Sequence, residues 1–232
     1  MILDGAMGTT VFSLGFDEKT IRGEQFANHH KDVKNFVDLI SLTHPDTLTD
    51  IHRQFLAAGA DIVETNTFGA SPIGLAEFDL PDLVYDLNVA AVQAARQACD
   101  EFTKENPSKP RFVAGAIGPT TKTCSISPKV EDPGFREVTF LQHVDSYYAQ
   151  VAALVDGGVD ILFPETTFDT LNLKACLFAI KKYFNDQQIM DIVAIHGMYI
   201  ILGCLINIYE LNLDTDIASR LPETIVKNDL IV

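Results

Sequence analysis

The 232-residue sequence has no cluster of basic side chains, no C-x-x-C pair and no basic leader. Each absence excludes a class of function. The 17 Lys and Arg are scattered and outnumbered by 32 Asp and Glu, which gives a formal net charge of −15. Such a surface repels polyphosphates and anionic lipid, so nucleic-acid binding and membrane-surface binding are disfavoured. The four cysteines, Cys99, Cys124, Cys176 and Cys204, stand singly in different neighbourhoods. They form neither a disulfide framework nor a zinc knuckle, and they suit a reducing, cytoplasmic compartment. The first ten residues, MILDGAMGTT, carry an acidic residue and no basic n-region, unlike a signal peptide.

The composition is that of a globular protein, 47% hydrophobic and 21% charged. It can bury a substantial core in one large domain or two small ones. Over residues 1–184, short apolar runs alternate with helical patterns. The runs are Ile2-Leu3, Asp61 to Glu64, Arg111 to Ala114 and Val159 to Phe163. Short, continuously apolar runs suit parallel strands buried on both faces.

Four amphipathic helices are expected between and after them. Pro45 to Ala58 carries Leu48, Ile51, Phe55 and Leu56, with Thr43 and Asp46 as a capping box and Gly59 as the stop. Leu83 to Phe102 repeats Leu87, Ala91, Ala94 and Ala98. Thr139 to Asp156 carries Phe140, Val144, Tyr148, Val151 and Val155. Thr170 to Phe184 carries Leu173, Leu177 and Ile180. Strand–helix alternation implies a parallel sheet covered by helices. The strands recur about every 50 residues, so a complete eight-unit barrel would need about 400 residues. A barrel built from this chain is therefore partial, with about the first four β/α units.

Residues 185–232 differ in character. Asn185-Asp-Gln-Gln interrupts the pattern, and Ile192 to Tyr209 holds no charged residue. The length is marginal for a membrane span, and His196, Gly197, Gly203 and Asn207 weaken that reading. A buried strand plus helix and a non-native terminus remain open as alternatives.

Asp4-Gly-Ala-Met-Gly-Thr follows the first strand. Backbone N–H groups of a glycine-rich turn can meet an anion, and Asp4 adds a carboxylate beside them. That combination suits a zwitterion such as an amino acid. It equally suits a tight β/α turn with Asp4 as a helix cap. Glu165 follows the fourth strand, where a carboxylate faces the ligand rim of a β/α fold. Glu64 holds the corresponding place on the second strand, with Asn66 and Thr67 beyond it, as candidate rim residues or as loop-holding hydrogen-bonders.

Several longer motifs occur in order: Leu3-Asp-Gly-Ala-Met-Gly-Thr, Gly59-Ala-Asp-Ile-Val-Glu-Thr-Asn-Thr-Phe, Gly115-Ala-Ile-Gly-Pro-Thr, Ser125-Ile-Ser-Pro-Lys-Val-Glu, Phe135-Arg-Glu-Val-Thr-Phe, and Gly158-Val-Asp-Ile-Leu-Phe-Pro-Glu-Thr-Thr-Phe-Asp-Thr-Leu-Asn. Together, over about residues 1–184, they resemble the homocysteine-binding module of cobalamin-dependent methionine synthase, in the homocysteine S-methyltransferase family. The resemblance implies a (β/α)8 TIM barrel. It places the substrate carboxylate on the amides of Gly5, Ala6 and Met7, and the ammonium on Asp4 and Glu165.

It also implies zinc, held by three cysteines on later strands, and methylcobalamin as donor on separate domains recharged from methyltetrahydrofolate. None of those cysteine motifs and no folate- or cobalamin-binding module is present in this sequence. Thr121 and Pro164 depart from the residues usual in the family. The expectation is the homocysteine-binding part of a methionine synthase, inactive alone, with no catalytic or metal-binding residue and no cofactor of its own. Two other readings are a non-catalytic amino-acid-binding or regulatory module, and a mispredicted fragment that does not fold because half a barrel exposes strand edges.

Overall fold

The computed structural model describes residues 1–5 and 7–190; Ala6 and residues 191–232 lie outside the description. The uncharged run 192–209 therefore falls outside it too. The chain divides into two compact units, Met1–Ile180 and Lys181–Val232.

The first unit is mixed α/β. In chain order it contains α1 (Met7–Ser13), α2 (Glu18–Arg22), α3 (Ile40–Thr43), α4 (Pro45–Ala57), β1 (Ile62–Glu64), α5 (Pro72–Ala76), α6 (Val84–Glu105), β2 (Phe112–Ile117), α7 (Phe140–Gly157), β3 (Ile161–Pro164) and α8 (Thr170–Lys181). Short 3-10 turns precede α3 at Val37–Leu39 and α6 at Pro81–Leu83.

The sheet is parallel, in the order β1-β2-β3. The expected first strand makes a single parallel bridge, Leu3 to Ile62. It is extended by bonds from Ile62 N to Ile2 O (3.1 Å) and from Asp4 N to Ile62 O (2.9 Å). Spatial neighbours thus follow chain order without reversal. That is the winding of a barrel wall rather than of a doubly wound sheet. A short parallel sheet of this kind is consistent with a partial TIM-barrel-like fold.

Helix α4 buries the expected Leu48, Ile51 and Leu56, and α6 buries Leu87, Ala91, Ala94 and Ala98. The expected Thr43–Asp46 capping box is not formed. His44 occupies the N-cap without a side-chain capping bond, and the Thr43 hydroxyl instead donates to Ile21 O at 3.0 Å. A tertiary acceptor has won over the local one. The box appears on α7, where Thr139 and Gln142 cap each other reciprocally. Gly158 closes α7 at φ +94°, a left-handed conformation that costs glycine little.

The apolar faces of α7 and α8 depart in part from the periodic reading, although Val144 and Val151 of α7 are buried as expected. Tyr147 and Leu154 are buried on α7, while Tyr148 and Val155 are partly exposed. His143, Ser146 and Gln150 share the buried face. On α8 the buried residues are Asn172, Ala175, Cys176 and Ala179, with Leu177 exposed. Small and hydrogen-bonded side chains lie inward there, which a hydrophobic period does not detect.

In the second unit, Asn185 does not merely break the pattern. Asn185 Oδ1 accepts from Gln188 N (2.8 Å) and Gln188 Oε1 from Asn185 N (2.9 Å), a capping box that opens the helical turn at 186–190. Among the described residues, no helix is long and apolar enough to cross a membrane.

Candidate functional site

Parallel winding brings the C-terminal ends of the strands to one rim. There, three carboxylates from three separate segments converge. Asp4 follows the Leu3 bridge, Glu64 ends β1, and Glu165 follows β3. The Glu64 N–H donates to Asp4 Oδ1 at 2.9 Å. Asp4 Oδ2 is buried and has no hydrogen-bond partner among the described residues. The charge of Glu165 bears on both Asp4 and Glu64. Pro164 is the last residue of β3, but backbone bonding continues past it. Glu165 N donates to Ile117 O at 3.1 Å, which holds Glu165 in register.

The electrostatics follow from crowding. Burial pushes Asp4 up to about 7; the N–H of Glu64 pulls the other way, and the charge of Glu165 adds a little. Burial likewise raises Glu64 to about 7, helped by the charges of Glu165 and Asp4. Desolvation and like-charge repulsion both favour the neutral acid.

Glu64 and Glu165 border a cavity of about 540 Å³, and Asp4 is bonded to the backbone of Glu64 at its edge. Met7, Glu64, Asn66, Glu165 and Thr121 line it, together with Asp38, a residue the motifs did not single out. No Lys, Arg or His is among the described residues that line it. Asp38 is buried on the 3-10 turn before α3, its Oδ1 accepts from Gly69 N at 3.0 Å, and burial raises it to about 6. Its sequence context, Asn35-Phe-Val-Asp-Leu, carries no turn or motif signal.

The glycine-rich turn behaves differently from the strained loop that its composition suggests. Neither Gly5 nor Gly8 adopts positive φ, and a Cβ at either would meet nothing within 4 Å. The glycines leave backbone uncovered rather than permit a forbidden conformation. Asp4 caps nothing in α1; it reaches across to β1 instead. Ala6 lies outside the described residues. Asn66 and Thr67 serve the loop. Asn66 Nδ2 donates to Val37 O (2.9 Å), and the wholly buried Thr67 hydroxyl to Ala116 O (2.7 Å).

A second polar cluster supports the rim from behind. Asp169 accepts from Ser125 N (2.8 Å) and Ser125 Oγ (2.7 Å), and Asn172 Oδ1 accepts from Cys124 N (2.9 Å). Cys124 Sγ lies 3.3 Å from His143 Nδ1. Burial raises the thiols of Cys99 and Cys176 to about 12, and that of Cys124 upward too. Burial therefore keeps these thiols protonated at neutral pH. Among the described residues, no group of three or more His, Cys, Asp or Glu side chains is placed to hold a metal ion.

Similarity to known proteins accords with this geometry. The chain is similar to the homocysteine methyltransferase MmuM from Escherichia coli. In the metallated form the TM-score is 0.60 at 24% identity, covering 79% of this chain and 59% of that one. In the oxidized form the values are 0.59 and 23%, covering 79% and 58%. These likenesses establish the fold, and this chain spans less than three-fifths of the length of those proteins. The profile of the homocysteine S-methyltransferase family matches residues 1–212, past residue 184 where the recognised motifs end. The chain belongs to the homocysteine S-methyltransferase family.

Proposed function

We propose that this chain supplies the homocysteine-binding part of an enzyme that transfers a methyl group to the homocysteine sulfur, giving methionine. One observation carries the reading. Glu64 and Glu165 line a cavity without a described cationic side chain, Asp4 is held against Glu64, and Asp4 and Glu64 are both raised to about 7. Protons relieve that arrangement in the empty protein, and a cationic ligand can take their place. An α-ammonium fits it, because hydrogen bonds to ionised acceptors are directional and strong.

In this reading Asp4 and Glu165 hold the ammonium, with Glu64 beside them. The N–H groups of Gly5, Ala6 and Met7 receive the α-carboxylate. Asn66 and Thr67 hold the rim in shape. Residues 1–184 form about the first four β/α units of a (β/α)8 barrel, followed by the apolar tail 185–232. The motif-level resemblance favours the methionine synthase branch, with methylcobalamin as donor on separate folate- and cobalamin-binding domains, in the cytoplasm.

The family resemblance brings zinc to this chemistry, and the described side chains do not fit it. Their thiols are buried and scattered, and no three ligands converge. We therefore assign substrate binding, and not thiol activation, to this chain. Titration calorimetry of the full chain with L-homocysteine tests the reading. Binding that is weakened by Asp4→Asn and by Glu165→Gln supports it; no heat with the wild type sinks it. Metal-stimulated methionine formation by this chain alone would overturn the assignment of binding without activation.

A further inference from the structure

The loop after β1 is fixed residue by residue. Thr65 N donates to Ala114 O at 2.9 Å. Asn66 Nδ2 donates to Val37 O, and Thr67 Oγ1 to Ala116 O. Thr67 O accepts from Gln150 Nε2 at 2.7 Å. Phe68 O accepts from Gly118 N at 3.1 Å, and Gly69 N is held by Asp38. The side chains of Thr65, Asn66 and Thr67 all point into protein and are buried. Phe68 alone is released, with 43% of its surface exposed, and it lines the cavity shared with Glu64 and Glu165.

Its seat is Gly118. A Cβ at that position would lie 2.6 Å from Phe68 O and 2.8 Å from both Cδ atoms of the ring. Only glycine lets the ring rest there. An exposed Phe is ordinary by itself. A Phe on a mount this rigid, at the mouth of a carboxylate-lined cavity, is placed for contact. Two of the other aromatic rings that line the cavity are used elsewhere. Phe36 and Phe78 stack on each other at 4.4 Å, and Phe36 is 2% exposed. Phe12 lies on the short α1.

We infer that Phe68, seated on Gly118, is a specificity-determining residue that forms the wall against which the thiol-bearing side chain of the bound amino acid lies. The inference rests on the amino-acid-binding role proposed above. The ammonium is anchored at the carboxylates, so the two methylenes and the sulfur extend into the remaining cavity. Divalent sulfur is polarizable and makes favourable contacts with aromatic rings, which a hydroxyl of the same position does not match. An apolar wall also leaves an alcohol without a hydrogen-bond partner.

The test is titration calorimetry of the full chain with L-homocysteine and with L-homoserine, which replaces sulfur by oxygen. We expect the wild type to prefer homocysteine. Phe68→Ala should weaken homocysteine by about tenfold and homoserine much less, so that the preference collapses. Phe68→Leu should retain part of the affinity and lose most of the preference. Gly118→Ala, which displaces the ring, should resemble Phe68→Ala, whereas Leu141→Ala, at an exposed residue outside the cavity, should behave as wild type. Thermal unfolding of each variant identifies loss of fold, and Phe68→Leu stays decisive if Gly118→Ala fails to fold. Unchanged homocysteine affinity and preference in folded Phe68→Ala overturns the proposal, as does an equal loss for both ligands. A wild type that binds neither amino acid overturns the underlying reading instead.

Discussion

The Glu64 backbone N–H donates to Asp4 Oδ1 at 2.9 Å, and this bond leaves Asp4 Oδ2 buried beside two further carboxyl groups with no hydrogen-bond partner of its own among the described residues. A backbone bond fixes the side chain, so Asp4 cannot swing away to reach water. The fold holds a carboxylate where ionisation is unfavourable, a strain characteristic of binding sites rather than of scaffolds.

The first prediction is a pH dependence of binding. Asp4 and Glu64 are raised from 3.8 and 4.5 to about 7. Between about pH 4 and 7 the empty folded protein therefore holds protons that the unfolded chain has released. Its stability is favoured at the acid end of that window and falls as pH rises through 7. An ammonium ligand needs the ionised carboxylates, so it must displace those protons. Homocysteine affinity should rise from about pH 5.5 to 7.5, with proton release visible as a buffer-dependent heat. A flat affinity across this range would show that the carboxyls do not hold the ammonium.

The second prediction separates stability from binding at Asp4. Asp4→Asn keeps an acceptor for the Glu64 N–H but cannot ionise. At pH 8 the variant should melt at a higher temperature than wild type, and yet bind homocysteine at least about tenfold more weakly. Glu165→Gln should weaken binding similarly and lower the pKa of Glu64 by removing its nearest like charge. Thermal scans paired with calorimetry check both. A variant that loses stability and affinity together would mark Asp4 as structural.

How much of this was legible in the sequence depends on whether the signal was local. The strand ends, the stripes of α4 and α6, and the carboxylates Asp4 and Glu165 sit in short motifs, and the structure places them on one rim. The roles of Asp38 and Phe68 depend on partners that are remote in sequence, Gly69 for the one and Gly118 for the other. Nothing in a window around either residue reports that pairing. The same holds for α7. Its inward face carries His143, Ser146 and Gln150 because each finds an acceptor or donor across the fold. A hydrophobic period counts such residues as outward, and so it turned the stripe towards Tyr148. Thr43 failed as a cap for a related reason, since Ile21 O offered a tertiary acceptor.

The third prediction concerns the loop between β2 and α7. Asp169 ties Ser125 to the start of α8 through four hydrogen bonds, from Ser125 N, Ser125 Oγ, Leu171 N and Asn172 N. Burial pushes its carboxyl up, but the bonds from Ser125 and the amides outweigh it and hold the group below its ordinary value. Its contribution is thus present above about pH 4 and is lost as pH falls further. Asp169→Ala should cost about 2 kcal/mol at pH 7, read as a shift in the urea midpoint, and should raise amide exchange at Cys124 and Ser125. Unchanged exchange there would show that the loop is held without Asp169, by Arg136, which bonds Cys124 O and Ser125 O, and by Asn172, which accepts from Cys124 N.

The last prediction uses His52, which is wholly buried on α4 with neither ring nitrogen partnered. Burial disfavours the imidazolium and lowers the pKa from 6.5 to about 4. Above pH 6.5 both folded and unfolded chains carry a neutral ring, and nothing is lost. Below it the unfolded chain takes up a proton that the folded chain refuses. Stability therefore falls as pH drops from about 6.5 to 4, by on the order of 3 kcal/mol across the window. Other groups add their own acid sensitivity, Asp61 and Asp169 among them, because both are held below their ordinary values. The difference between wild type and His52→Leu isolates the histidine. The leucine variant removes two unpaired buried polar atoms at similar volume, so it should be as stable as wild type or more stable at pH 7. Its advantage should grow steadily at pH 5.5 and 4.5 in urea titrations. Parallel stability curves for the two proteins from pH 7 to 4.5 would mean that the ring titrates normally in the fold, with water or a polar group reaching it.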